Sequence, residues 1–352
     1  MSEPEASLSQ ESPSADVNPE PLTLRSAVRS RDRAQIKAAV RLSHILRLVI
    51  AIVLMVVSYY TNRGFLGWGL LFILGVLVVP VGRTKAFLIG FIPYAGVWFL
   101  FTAGRSLADE SIFARTVNLY VADFERQLFN DRLPTVRLQD RFFTPGHPGA
   151  LDYFLTGIHW SYFIIPHVFA IIIWYKRPEL FLRFFSGMTL MLGIGLAIYF
   201  LIPTNPPWLA PEPINSPSAA VVYRVMESVG NQLGGGIYEA SYAVIGESNP
   251  RAAMPSIHLA FTALLIFPAF AFGKKWGYLL VIYTVLMGFA LVYMGEHFVT
   301  DLVVGFMCAA YGWYGAGAWW DIAAPNVFGN SNPMNGLAKN RAPAQGEASG
   351  GA

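Results

Sequence analysis

Charge is scarce in this 352-residue chain: 13% of residues are Asp, Glu, Lys or Arg, where a soluble globular domain carries about 25%. The deficit is concentrated in long apolar runs, which excludes an ordinary water-soluble fold for the middle of the chain. Cysteine is nearly absent. Cys308 is the single one and rules out an internal disulfide framework and a cysteine-based metal site. A net charge of +3 is too small to argue for nucleic acid binding. No short apolar core near Met1 precedes a small-residue cleavage site, so no cleaved signal peptide is expected. No internal repeat and no separate soluble domain stand out.

What is present is hydrophobic, at 54% of residues and a mean hydropathy of +0.45. Runs of about 18 or more apolar residues can each cross a bilayer core of about 30 Å. Some eight spans are expected, near 43–61, 64–82, 85–104, 150–174, 180–203, 254–273, 276–295 and 297–320. The expected fold is therefore all-α, a polytopic membrane helical bundle. Residues 1–40 read as a disordered tail that turns basic from Arg25 onward, 41–322 as the membrane-embedded domain, and 323–352 as a Gly-, Ala- and Asn-rich disordered tail.

Basic residues orient the bundle. The tail arginines, Arg83 with Lys85, Lys176 with Arg177, and Lys274 with Lys275 all fall on one side when crossings are counted. The positive-inside rule makes that side cytoplasmic, with both termini there, and a plasma membrane fits the pattern. Segments 105–149 and 204–252 then lie outside. The first mixes charged and apolar residues as amphipathic surface helices do. The second opens PTNPPWLAPEP, whose prolines forbid a continuous helix.

The chemistry-bearing residues gather at the outer ends of two spans. His258 stands in AMPSIHLAFTALL, 16 residues before Lys274, a descent of about 24 Å in helical form. The chain turns at GKKW and climbs back to GEHFVTD, so His258 and His297 are expected at one leaflet, each in the first turn of a helix. Asp301 is four residues after His297, which puts both on one helical face. A carboxylate there accepts the imidazole Nδ1 proton, fixes the tautomer and leaves the Nε2 lone pair outward. A helix N-terminus disfavours the imidazolium before reaction, so His297 suits a neutral nucleophile and His258 a proton donor. Amides beginning at Ser256 sit where helix N-termini hold phosphate. The set suits phosphoryl transfer without a metal or organic cofactor.

MPSIHLAFTALL together with YMGEHFVTDLVVG resembles the type 2 phosphatidic acid phosphatase superfamily, whose PSxH-like and HxxxD motifs stand at the outer ends of two helices joined by a hairpin. The resemblance implies that His297 is the nucleophile forming a phosphohistidine, that Asp301 polarises it, and that His258 protonates the leaving group. IPTNPPW (202–208) and QLFNDRLPTVRLQD are similar to segments of the branch containing inositol phosphorylceramide synthases. The phosphatase branch places Ser-Arg ahead of its second histidine; here those positions are Ala290 and Leu291. Ala170 stands where its first motif has lysine, ahead of Arg177-Pro178, and Ile257 replaces the glycine of PSGH. These departures favour the transferase-like branch, an inositolphosphotransferase.

A phosphate still needs a cation. Arg251, seven residues before His258, is the first candidate, followed by Arg105, Arg115 and Arg224. Asp152 is a candidate for orienting a polar acceptor. His159 and His167, eight apart in one span, read as helix-packing hydrogen-bonders, and Tyr293 and Trp208 as aromatics of the membrane interface. The expected partners are a lipid phosphate ester and a hydroxyl acceptor or water. Two other readings stay open: a plain lipid or polyprenyl phosphate phosphatase, and a transporter or flippase, which would place its ionisable groups nearer the midplane. A catalytically silent relative acting as a subunit is a further one.

Overall fold

The computed structural model describes residues 84–108, 120–210, 221–234 and 252–328, with a few isolated positions between 45 and 53. The first two expected spans apart from those isolated positions, the N-terminal tail, residues 329–352, most of 204–252, and Arg115 and Arg251 lie outside the described residues, whereas residues 324–328, expected in the disordered C-terminal tail, are helical. Within them the fold is all-helical. There is no strand, only an isolated parallel bridge between Thr204 and Ala252.

The helices are α1 (Thr84–Ala108), α2 (Tyr120–Leu128), α3 (Pro134–Phe142), α4 (Ala150–Ser161), α5 (Ile165–Lys176), α6 (Pro178–Leu201), α7 (Val225–Leu233), α8 (Ile257–Phe272), α9 (Lys274–Tyr293), α10 (Val299–Ala318) and the short α11 (Ala324–Phe328). Three stretches, Ala86–Ala108, Pro178–Leu201 and Lys274–Tyr293, are long and apolar enough to cross a bilayer. The pair α4 and α5 makes a fourth if counted as one span bent by 42°. This is a multi-pass membrane protein. Outward-facing Ile282, Val285, Val303, Met307 and Tyr311 present the apolar surface a lipid environment requires.

The expected span 150–174 is the one the structure divides. Pro166 stands in the first turn of α5, where its missing N–H costs least. The chain crosses the break on short bonds, Tyr162 N–H to His159 O, Phe163 to Trp160 and Ile164 to Ser161, at 3.1, 3.2 and 3.0 Å. These are 3₁₀-type links, often found at functional hinges.

The centre of the bundle is α8, packed against α9, α10, α6 and α5. Close approach depends on glycine at two places. A Cβ on Gly305 of α10 would lie 2.5 Å from the Ser256 carbonyl oxygen, and one on Gly312 would lie 2.5 Å from the Gly187 carbonyl oxygen of α6. Small residues let membrane helices meet backbone to backbone, and here Gly305 draws the HxxxD helix onto the PSIH segment. The short helices α2, α3 and α7 gather with the upper half of α4 at the end of the bundle where α8 and α10 begin.

Candidate active site

Ser256 caps α8. Its Oγ accepts the Leu259 N–H at 3.3 Å, and its own N–H donates to the Asp301 carbonyl at 3.1 Å. That backbone bond joins the two motifs directly. Ser256 is fully buried, and its amide, expected to face a phosphate, is committed to Asp301. The structure therefore gives Ser256 an architectural task. The Met254–Pro255 peptide is cis, and the Tyr199 hydroxyl donates to the Pro255 carbonyl at 3.0 Å.

His258 is the second residue of α8, as expected. His297 is not on a helix: α10 begins at Val299 with Phe298 as its N-cap, so His297 lies one residue outside. The pairing with Asp301 survives for a different reason. Asp301 reaches back over the helix start, where its Oδ2 accepts the Phe298 N–H at 2.9 Å and lies 3.3 Å from His297 Nδ1. A helix-capping carboxylate thus doubles as the partner of the imidazole. Gly295 makes this turn possible. Its φ is +80°, and a Cβ there would meet the Tyr223 carbonyl at 2.9 Å.

His297 Nε2 lies 3.4 Å from His258 Nδ1. The proton positions follow from the partners. Asp301 can only accept while ionised, so His297 carries its proton on Nδ1 and its lone pair on Nε2. His258 Nδ1 is then the donor to that lone pair. His297 and Asp301 are buried and His258 is half-buried, so the chain His258, His297, Asp301 runs from the partly open edge of the site inward.

Two arginines lie within electrostatic reach. Arg105, in the last turn of α1, acts on His258, and Arg224 acts on His159. Arg224 is held by Glu296 at 2.7 and 3.3 Å and lies 4.6 Å over the Trp208 ring. So Trp208, expected at the membrane interface, instead supports a cation. Its loop, IPTNPPW, touches both motif turns: Ala253 N–H donates to Thr204 O at 3.1 Å and Trp208 N–H to Gly295 O at 3.1 Å.

Asp152 is placed differently from an acceptor ligand. Its Oδ2 accepts the Gly149 N–H at 2.7 Å, closing the start of α4, and its Oδ1 accepts the Tyr293 hydroxyl. It pins α4 to α9. Tyr293, expected at the interface, is fully buried by this bond.

Glu125 escaped sequence reasoning, and His159 was expected only as a helix-packing hydrogen-bonder. Glu125 on α2 is buried, and its Oε1 accepts the Thr300 N–H at 2.6 Å and the Thr300 hydroxyl at 3.1 Å. It fills the start of α10 from 175 residues away. Burial pushes its carboxyl up to about 7 despite those bonds, with the Asp301 charge adding to the rise. His159, near the end of α4, is 1% exposed, with its ring centroid 4.8 Å from that of His258. Neither ring nitrogen has a hydrogen-bond partner among the described residues. An unpaired buried polar group costs about 1–3 kcal/mol, so the position is an expense that packing alone does not explain. Tyr162, in the helix break, lies tilted against the same His258 ring, 4.5 Å between centroids.

The motifs that bring these groups together lie within a segment that matches a known family. The PAP2 superfamily model matches residues 119–315. The chain belongs to the PAP2 superfamily. Membership makes it a phosphoryl-transfer enzyme of the membrane. A stretch of 183 residues is 28% identical to the phosphoinositol dihydroceramide synthase of Bacteroides thetaiotaomicron, covering 49% of this chain. The match spans 57% of that relative's length, a little over half. No solved structure matches.

Proposed function

We propose that this protein is a lipid phosphotransferase, working through a phosphohistidine on His297 at the outer leaflet of a plasma membrane, in a bundle of about eight spans with both termini cytoplasmic. The observation that carries the reading is the chain of contacts from His258 Nδ1 to His297 Nε2 and from His297 Nδ1 to Asp301, at 3.4 and 3.3 Å. It presents a lone pair where a nucleophile needs one and a proton on the neighbouring ring.

The reaction runs in two steps. His297 Nε2 attacks phosphorus of a lipid phosphodiester, and the bond to the lipid oxygen breaks. That oxygen takes a proton from His258. Its acid form is the imidazolium, because a neutral ring giving up Nδ1–H would become an imidazolate. Asp301 stabilises the charge that develops on His297. In the second step an acceptor hydroxyl gives its proton to His258 and bonds to phosphorus, and the N–P bond breaks back to His297. A gap of 3.4 Å leaves no room for a phosphoryl group between the rings, so the headgroup enters by parting them; contacts of this kind rearrange when substrate binds. Arg105 and Arg224 neutralise the phosphate from the described part of the site, and Arg251 adds to them from the outer loop.

The named product of the Bacteroides relative joins phosphoinositol to a lipid alcohol, and for this chain we carry over the class: transfer of a phosphate-linked headgroup to a lipid hydroxyl. The missing Ser-Arg pair, with apolar Ala290 and Leu291 fully buried in its place, supports transfer over simple hydrolysis. The purified protein, given labelled phosphatidylinositol with and without dihydroceramide, should form acceptor-dependent product and a base-stable phosphoenzyme. Release of the labelled headgroup at the same rate regardless of acceptor would establish a hydrolase instead. Activity should survive EDTA; loss restored by a divalent ion would overturn the metal-free step.

A further inference from the structure

The two-step scheme uses two imidazoles, and the site holds three. His159 lies against His258, faces His297 and Arg224 electrostatically, and keeps both ring nitrogens without a hydrogen-bond partner among the described residues. Its other ring contact is apolar, Phe163 at 6.3 Å between centroids. A neutral imidazole offers one donor and one acceptor. Left vacant in a buried, largely apolar wall, these are the hydrogen-bonding capacity that a hydroxyl can satisfy and a hydrocarbon cannot.

We propose, resting on the transferase reading above, that His159 is the acceptor-binding residue of the second step. Its ring N–H donates to the oxygen of the incoming alcohol, which leaves the hydroxyl proton directed at His258. The new bond forms between that oxygen and phosphorus, the N–P bond returns its electron pair to His297 Nε2, and the hydroxyl proton passes to His258. His159 exchanges no proton; it selects and aims the nucleophile. The helix break at 162–164 gives the acceptor its way in. The three residues there hold 3₁₀-type bonds rather than a full helical ladder, so α4 parts from α8 with little backbone disruption. The Tyr162 and Phe163 rings, 5.1 Å apart between centroids and both against His258, close this wall, so an alcohol carried on a lipid enters by parting them, whereas water gains no orientation from the apolar part of it. His159 thereby favours transfer over hydrolysis.

The test uses the full chain in lipid nanodiscs, with labelled phosphatidylinositol as donor and dihydroceramide as acceptor, and measures both transferred and hydrolysed headgroup. His159→Phe should lower the transfer-to-hydrolysis ratio at least about tenfold and raise the acceptor KM more than it lowers phosphoenzyme formation. His159→Gln, which keeps a donor and an acceptor, should recover most of the ratio. An unchanged ratio in both variants overturns the proposal while leaving the phosphotransferase reading in place. Parallel loss of phosphoenzyme and transfer also overturns it, since that marks a phosphate-binding or structural role. If the unmodified protein forms no phosphoenzyme and neither transfers nor hydrolyses, the functional reading falls and the proposal with it. Should the Phe variant fail to fold, His159→Ala, which likewise removes both donor and acceptor, enters the same assay with the same outcomes.

Discussion

His159 and His167 stand eight residues apart on the same interrupted span, and both are buried, yet their surroundings differ. His167 Nδ1 lies 2.8 Å from the Tyr94 hydroxyl, and its ring is walled by Trp98 and Phe261, each 5.6 Å away between centroids. Among the described residues His159 has no such bond, and it lies against His258. The first is an imidazole whose polarity is absorbed by the fold. The second is one whose polarity the fold leaves over. Burial alone therefore says little about an intramembrane histidine; what its nitrogens touch says more.

If that distinction governs the bundle, substitutions should sort by nitrogen contacts, and the largest effect belongs to His297. His297→Ala should lower turnover at least about 10³-fold with normal membrane insertion and a modest drop in melting temperature, since the buried Asp301 keeps the Phe298 N–H but loses the imidazole. Retained phosphoenzyme in this variant would remove the nucleophile from the scheme. Asp301→Asn comes next. An amide can present N–H to the ring and turn it to the wrong tautomer, so kcat should fall about 10³-fold or more. The same change removes the carboxylate cap on Phe298, so a small loss of thermal stability should accompany it. His167→Phe should show the opposite balance. It leaves the Tyr94 hydroxyl buried without its partner, a cost of about 1–3 kcal/mol visible as a lower melting temperature in detergent. Its kcat and transfer-to-hydrolysis ratio should stay within about threefold of the original, the scatter expected of a site outside the chemistry. A His167 variant that loses transfer selectively would break the comparison with His159.

The meeting of His258, His297 and Asp301 could be read from the sequence because it depends on local rules: a hairpin of known rise and a four-residue spacing. Even so, the spacing pointed to the right contact through the wrong geometry, since His297 precedes the helix and Asp301 reaches back as its cap. His159 could not be separated from His167 by pattern. Eight residues imply one helical face, and only Pro166 signalled that the helix is interrupted between them. Asp152 and Ser256 looked like ligands because acids and serines at helix starts serve both as caps and as anion sites, and sequence does not distinguish the two. The helical class of the fold was legible from composition. The docking of α2 onto α10 through Glu125 was not, because no periodicity links residues 175 positions apart.

Glu125 supplies the smallest expected effect and extends the contrast from imidazoles to carboxylates. Asp301 and Glu125 both serve the start of α10, one from within and one from α2, and burial raises Glu125 from 4.5 to about 7. A carboxyl whose folded value lies above its unfolded value binds more protons folded than unfolded between those two values. Stability should therefore decline as pH rises from about 4.5 to 7, and level off above, as the buried group is forced to ionise. Glu125→Gln keeps an oxygen for the Thr300 N–H and cannot ionise. Thermal melts in detergent should show the unmodified protein losing several degrees across that window relative to Glu125→Gln, with the two curves parallel outside it. Because the Thr300 N–H is one residue from Asp301, activity should change only a few-fold at pH 6, where both proteins hold a neutral side chain. A large activity loss in Glu125→Gln at that pH would mean that Glu125 is already ionised there, and that its charge, and not its hydrogen bonds to Thr300, supports the catalytic pair.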